Sequence, residues 1–166
     1  MNQRPLCTVR KAKIKDAAAI HALIKKYAIE YDLVIRTMGD IYTQVRDYFV
    51  MECRGKVAGV IALHIYWDDL GEIRSFIIAE KYRKMGFGGA LLGTAIREAQ
   101  LIGIKKIFAL TKIPKFFKKY GFNKIAKKAL PNKIWKDCFN CPKFPDCDED
   151  ALILNLKNSG EIVRNP

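Results

Sequence analysis

The chain has 166 residues, half of them hydrophobic, and a net charge of +13. That length defaults to one domain, residues 1–166, with a real core, and no apolar run approaches a membrane span. The amino-terminal residues lack the apolar h-region of a secretory signal, so the cytoplasm is the expected compartment and the five cysteines are expected to be reduced, metal-bound or functional, not a disulfide framework.

In chain order, residues 6–12 read as a first strand. A helix begins at Asp16, with Ile20, Leu23, Ile24 and Tyr27 on one apolar face. A loop over 32–39 leads to a short helical segment near 40–46. Residues 48–53 and 57–66 read as strands joined by the tight turn Arg54-Gly55-Lys56, a hairpin. Residues 72–79 form a fourth strand. Leu91, Leu92, Ala95, Ile96 and Ala99 then mark an amphipathic helix that ends near Gly103. Residues 105–111 read as a fifth strand, Pro114 opens a short helix ending before Gly121, and strands over 122–125 and 151–156 follow.

Between the fourth strand and the long helix lies Arg83-Lys84-Met85-Gly86-Phe87-Gly88-Gly89. Glycine lets a backbone approach a ligand closely, and the first N–H groups of a helix lack internal acceptors at the positive end of its dipole. The turn therefore suits phosphate. It is neither a Walker loop nor a three-glycine dinucleotide fingerprint, because Gly86, Gly88 and Gly89 give only G-x-G-G.

The excess positive charge is concentrated: residues 105–136 hold eleven lysines and no acid. Such a block serves nucleic acid, a polyanionic cofactor or acidic substrate, or simply a solvated surface. No recognisable nucleic-acid module accompanies it and its aromatics read as core, which argues against nucleic acid. Cys138, Cys141 and Cys147 are spaced C-x₂-C-x₅-C, and the first pair has zinc-knuckle spacing. A closed zinc site wants a fourth ligand, and His21 and His64 lie far upstream. We therefore expect no required metal, and a structural role for these thiols in pinning a carboxy-terminal loop that closes a binding pocket.

The Arg-x-x-Gly-x-Gly turn between strand and helix resembles that of the GNAT acetyltransferases, and the element order matches their fold over nearly the whole chain. Phe116-Phe117 with Tyr120-Gly121-Phe122 strengthens the likeness. Glu72-Ile73-Arg74-Ser75-Phe76, Ile35-Arg36-Thr37 and Ala109-Leu110-Thr111 are similar to segments of the N-acetylglutamate synthases. The tail from Leu130 to Glu149 resembles a stand-alone bacterial subgroup of amino-acid N-acetyltransferases of arginine biosynthesis.

The resemblance implies an α/β (α+β) GNAT fold, with a mixed, mostly antiparallel twisted sheet flanked by helices. It implies acetyl-CoA as cosubstrate, held by Phe76, Ile77, Ile78, Arg83, Lys84, Gly86, Phe87, Gly88 and Gly89. It implies an acidic amino acid as acceptor, most of all L-glutamate, with Arg36, Arg74, Thr111 and Lys112 as substrate residues and Glu72 as general base. Another amine, or a non-catalytic module binding CoA or nucleic acid, is the alternative. A homodimer stays open. Two departures matter. Phe117 occupies the position where many members carry a proton-donating tyrosine, and a carboxy-terminal substrate arginine has no counterpart beyond Lys133 or Lys136.

Overall fold

Arg54 and Gly55 both adopt positive φ, 50° and 74°, which is the backbone a two-residue hairpin turn requires. They join β2 (Tyr48–Cys53) to β3 (Lys56–Ile65), whose antiparallel pairing ends at Cys53 opposite Lys56. The computed structural model describes residues 5–31, 34–131, 138, 139, 141 and 143–156. The other elements are β1 (Cys7–Lys11), α1 (Ala17–Tyr31), α2 (Met38–Thr43), β4 (Leu70–Ile78), α3 (Phe87–Leu101), β5 (Lys106–Thr111), α4 (Pro114–Lys118), β6 (Asn123–Ile125) and β7 (Asp150–Asn155). The seven strands form one sheet in the order β1-β2-β3-β4-β5-β7-β6. It is mixed, because β4 and β5 run parallel while the β1–β2, β2–β3, β5–β7 and β6–β7 pairs are antiparallel.

The described residues group into two compact units, one of those up to Leu63 with Ser75–Arg97, the other of His64–Arg74 with those from Glu98 on. In the first, Ile20, Ile24 and Tyr27 of α1 are buried with Ile41, Tyr48, Val50, Val60, Ala62 and Ile77, and Leu23 packs beside them. This is the apolar face that helical spacing predicts. Helix α2 begins earlier than the sequence suggested. Thr37 and Asp40 form a capping box, in which the Asp40 N–H donates to Thr37 Oγ1 and the Thr37 N–H to Asp40 Oδ2.

A built Cβ on Gly59 would lie 2.9 Å from Ile78 Cδ1 and 3.2 Å from both the Ile77 carbonyl and Leu91 Cδ1. Only glycine lets β3 meet the end of β4 and the start of α3 this closely.

The expectation of five non-disulfide cysteines is corrected at one pair: Cys7 and Cys53 form a disulfide. They face one another directly across β1 and β2. A separation of 46 residues hid that register from the sequence.

Asp16, only 5% exposed, ties β1 to the start of α1. Its carboxylate accepts from Arg10 Nη1 at 2.7 Å, Arg10 Nη2 at 2.9 Å and the Lys13 N–H at 2.8 Å. The Arg10 hydrogen bonds are the main reason its pKa lies below the usual carboxylate value. Folding thus favours the ionised form, so this stabilisation is complete above the ordinary value near ~4 and is lost as pH falls through the lowered pKa. Asp16→Ala should cost about 2 kcal/mol at neutral pH in urea unfolding, and the gap to wild type should narrow in acid.

In the second unit, Leu70, Phe108, Leu130 and Ala151 form a core with Tyr66, Leu110, Ile125 and Ile153 against it. The parallel register sets Leu70, Gly71 and Glu72 opposite Lys106, Ile107 and Phe108. After α3, Gly103 takes φ 87°, and the Ile104 N–H donates to the Ala99 carbonyl at 2.9 Å, a Schellman closure. Gly121, at φ 88°, makes the turn from α4 into β6.

Candidate active site

Strand β4 carries five of the candidate residues, Glu72, Arg74, Phe76, Ile77 and Ile78. Glu72 and Arg74 are two positions apart, hence on one face of the strand. They are 8% exposed each, and Arg74 Nη1 lies 3.8 Å from Glu72 Oε2. The opposite charges make burial of both tolerable. Arg74 is thus directed at Glu72. Ser75 then adopts φ 51°, an uncommon conformation for a non-glycine residue within a strand. Phe76, Ile77 and Ile78 follow directly.

The same strand runs into the glycine turn. A 3-10 turn, Glu80–Tyr82, is followed by Lys84 at φ 60° and Gly86 at φ 81°, and α3 starts at Phe87. The Ala90 N–H donates to the Gly86 carbonyl at 3.3 Å, the first bond of the helix. Gly88 and Gly89 lie in that first turn, where N–H groups have no acceptor within the helix. Lys84 and Gly86 are exposed, Arg83, Gly88 and Gly89 half-buried, and Phe87 buried against Tyr82. The strand, glycine turn and helix follow one another as the sequence predicts, and free N–H groups at the start of a helix are suited to an anion.

What holds this turn in place comes from distant residues that no local pattern names. Tyr27 of α1 reads as one more apolar residue, yet its hydroxyl accepts from the Glu80 N–H at 2.8 Å, and the Arg83 guanidinium lies 4.9 Å from its ring centroid. Arg83 Nε also donates to the Ile78 carbonyl at 3.0 Å. Arg83 is therefore a strut between strand end and turn. Helical spacing marks Tyr27 as buried, but no local signal names its partners.

Arg36 is half-buried in the stretch before α2, directly ahead of the capping residue Thr37. At the carboxyl end of β5, Thr111 is 8% exposed and its hydroxyl accepts from the Ile113 N–H at 3.0 Å. Lys112 follows, with Nζ 3.1 Å from Asp148 Oδ2. Lys143 holds the other oxygen of Asp148 at 3.0 Å. Hydrogen bonds from Lys143 and Lys112 bring the Asp148 pKa down to about 2, whereas burial raises that of Glu149. Glu72, Arg74, Thr111 and Lys112 thus belong to one unit, on neighbouring parallel strands. Carboxyl ends of such strands are where ligands bind in α/β sheets.

Phe117, at the usual tyrosine position, is 2% exposed and packs edge-on against Phe116 and Phe122. It is a core residue. Tyr120 is 39% exposed, its ring tilted 45° against that of Phe116. Cys138, Cys141 and Cys147 are half-buried thiols, and among the described residues no three His, Cys, Asp or Glu side chains converge as metal ligands. Lys133 and Lys136 lie outside the described residues. Among the described residues, no helix is long and apolar enough to cross a membrane.

The sequence matches the acetyltransferase (GNAT) family over residues 20–122. It is 38% identical to an uncharacterized N-acetyltransferase of Chlorobaculum tepidum, covering 89% of this chain and 96% of that protein. It is 34% identical to the amino-acid acetyltransferase of Mycobacterium tuberculosis, covering 82% of each. Among solved structures, the N-acetylglutamate synthase of Neisseria gonorrhoeae, complexed with coenzyme A and N-acetyl-glutamate, superposes with a TM-score of 0.83 at 26% identity. The match covers 92% of this chain and 36% of that longer one. Rv2747 of Mycobacterium tuberculosis, solved with CoA, gives 0.77 at 27% identity, covering 90% and 99%. The mixed sheet, the glycine turn entering α3 and these matches lead to one conclusion: the chain belongs to the GNAT family and is an N-acetyltransferase.

Proposed function

We propose that this chain, acting as one acetyltransferase domain, transfers the acetyl group of acetyl-CoA to the α-amino group of an acidic amino acid, L-glutamate above all. This is the reaction that opens arginine biosynthesis, and the cytoplasm is its place. The observation that carries the reading is the strand β4 itself, which bears a buried Glu72–Arg74 pair and runs on into the Gly86–Gly89 cradle. The kinship with amino-acid acetyltransferases supports the substrate class.

In this reading the cradle holds the pyrophosphate of acetyl-CoA on the N–H groups of Gly88 and Gly89. The acceptor's amine attacks the thioester carbonyl directly. Collapse of the tetrahedral intermediate breaks the C–S bond, so that CoA leaves as its thiolate and takes up a proton from solvent. The amine must first lose a proton, which Glu72 takes, directly or through a water. A backbone N–H near Ile77 or Ile78 stabilises the developing oxyanion. Holding amine and thioester in attack geometry supplies much of the rate.

Arg36 receives the acceptor's α-carboxylate, because its planar fork makes two parallel charge-assisted hydrogen bonds. Turnover of acetyl-CoA across a panel of amino acids tests the substrate. Arg36→Ala should raise KM for glutamate by about 10-fold or more, the worth of a charge-assisted hydrogen bond, with KM for acetyl-CoA little changed. Equal rises in both constants, or no turnover of any acidic amino acid by the wild type, would reject the assignment.

A further inference from the structure

A single acid already engages two cations beyond the carboxyl end of β5. Asp148 accepts from Lys112 through Oδ2 and from Lys143 through Oδ1. The strand register accounts for the meeting. Thr111 of β5 lies opposite Asp150 of β7, so Lys112 just after the one and Asp148 just before the other are brought together. The two lysines differ in access. The Lys143 side chain is 10% exposed and that of Lys112 36%, while Asp148 itself is 57% exposed. Lys143 therefore anchors the carboxylate, and Lys112 is the cation that an incoming anion can reach. Arg74, the other cation proposed for the acceptor's side chain, faces Glu72.

We propose that Asp148 is a specificity-determining residue: it competes with the side-chain carboxylate of the acceptor for Lys112 and so narrows the preference for a dicarboxylic amino acid over its amide. The inference rests on the reading that an amino acid is acetylated at the carboxyl ends of β4 and β5. Its physics is that of two like charges drawn to Lys112, the more exposed of the two cations that Asp148 engages. A second carboxylate meets the attraction of Lys112 and the repulsion of Asp148 at similar range, so Asp148 offsets part of that attraction, while Lys143 is the less accessible cation. An uncharged amide feels both far more weakly, since it carries a dipole and no net charge. Removing the charge of Asp148 thus favours the dicarboxylate over the amide.

The test compares kcat/KM for L-glutamate and L-glutamine at saturating acetyl-CoA and low ionic strength. The enzymes are the wild type, Asp148→Asn, Asp148→Glu, Lys112→Met and the Asp148→Asn/Lys112→Met pair. Asp148→Asn should raise the glutamate-to-glutamine ratio about 3- to 5-fold, as expected for a solvent-exposed pair, and less in high salt. Asp148→Glu keeps the charge and should keep the wild-type ratio. In the Lys112→Met background the Asp148→Asn gain should vanish. The ratio does not depend on how much enzyme is folded, and a purely structural role would lower both acceptors together. An unchanged ratio with active enzyme overturns the role of Asp148 alone. A fallen ratio overturns it too, since Asp148 would then be presenting Lys112 to the substrate. Failure of the wild type to acetylate either amino acid removes the functional reading and this inference with it.

Discussion

Gly88→Val should weaken acetyl-CoA binding by about 10²-fold or more, measured by calorimetry, while leaving the domain folded. The expected size is the loss of one or two hydrogen bonds to a charged phosphate. Gly88 is the second residue of α3, where valine is no poorer a helix former than glycine. The side chain would instead fill space that the pyrophosphate needs beside the helix N-terminus. Gly86 is a less clean probe. Its φ of 81° is strained for any L side chain and most of all for a β-branched one, so Gly86→Val would mix lost binding with backbone rearrangement. Wild-type affinity in a folded Gly88→Val protein would move the cofactor site elsewhere.

Glu72→Gln should lower kcat by about 10²-fold at neutral pH, the usual worth of a positioned base. The substitution keeps shape and removes only the charge and the basic site. Glu72 is 8% exposed, with Arg74 beside it, so some structural loss is to be separated from the chemical one. Two readouts do this. KM for acetyl-CoA should hold, because the cradle lies further along the chain. The acidic limb of the pH–rate profile should change, and rate should recover as pH rises and solvent deprotonates the amine. Normal turnover from neutral to alkaline pH would reduce Glu72 to a structural partner of Arg74.

Local pattern carried much of this protein. Ile20, Leu23, Ile24 and Tyr27 announce α1 because helical spacing puts them on one face, and they pack as that spacing requires. Arg54-Gly55-Lys56 announces a hairpin, because a glycine between two strand-like runs supplies the positive φ of a tight turn. Gly86, Gly88 and Gly89, between an apolar strand and an amphipathic helix, announce a turn that opens a helix, and α3 begins at Phe87. Each of these is decided within a few residues, by sterics and periodicity, and so is readable without the rest of the chain.

Contacts between distant segments were not readable in this way. The Cys7–Cys53 disulfide depends on the register of β1 on β2. The partnership of Lys112 with Asp148 depends on the register of β5 on β7. The same holds for Tyr27, whose hydroxyl meets the Glu80 N–H from 53 residues away. Elements, glycine turn and family were thus legible in the order of residues. Which charges meet, and which candidates are already engaged, became visible only in the folded chain. The physical reason is that a strand's partner, and hence every cross-strand pair, is chosen by the packing of the whole sheet, to which each residue contributes only a face and a charge.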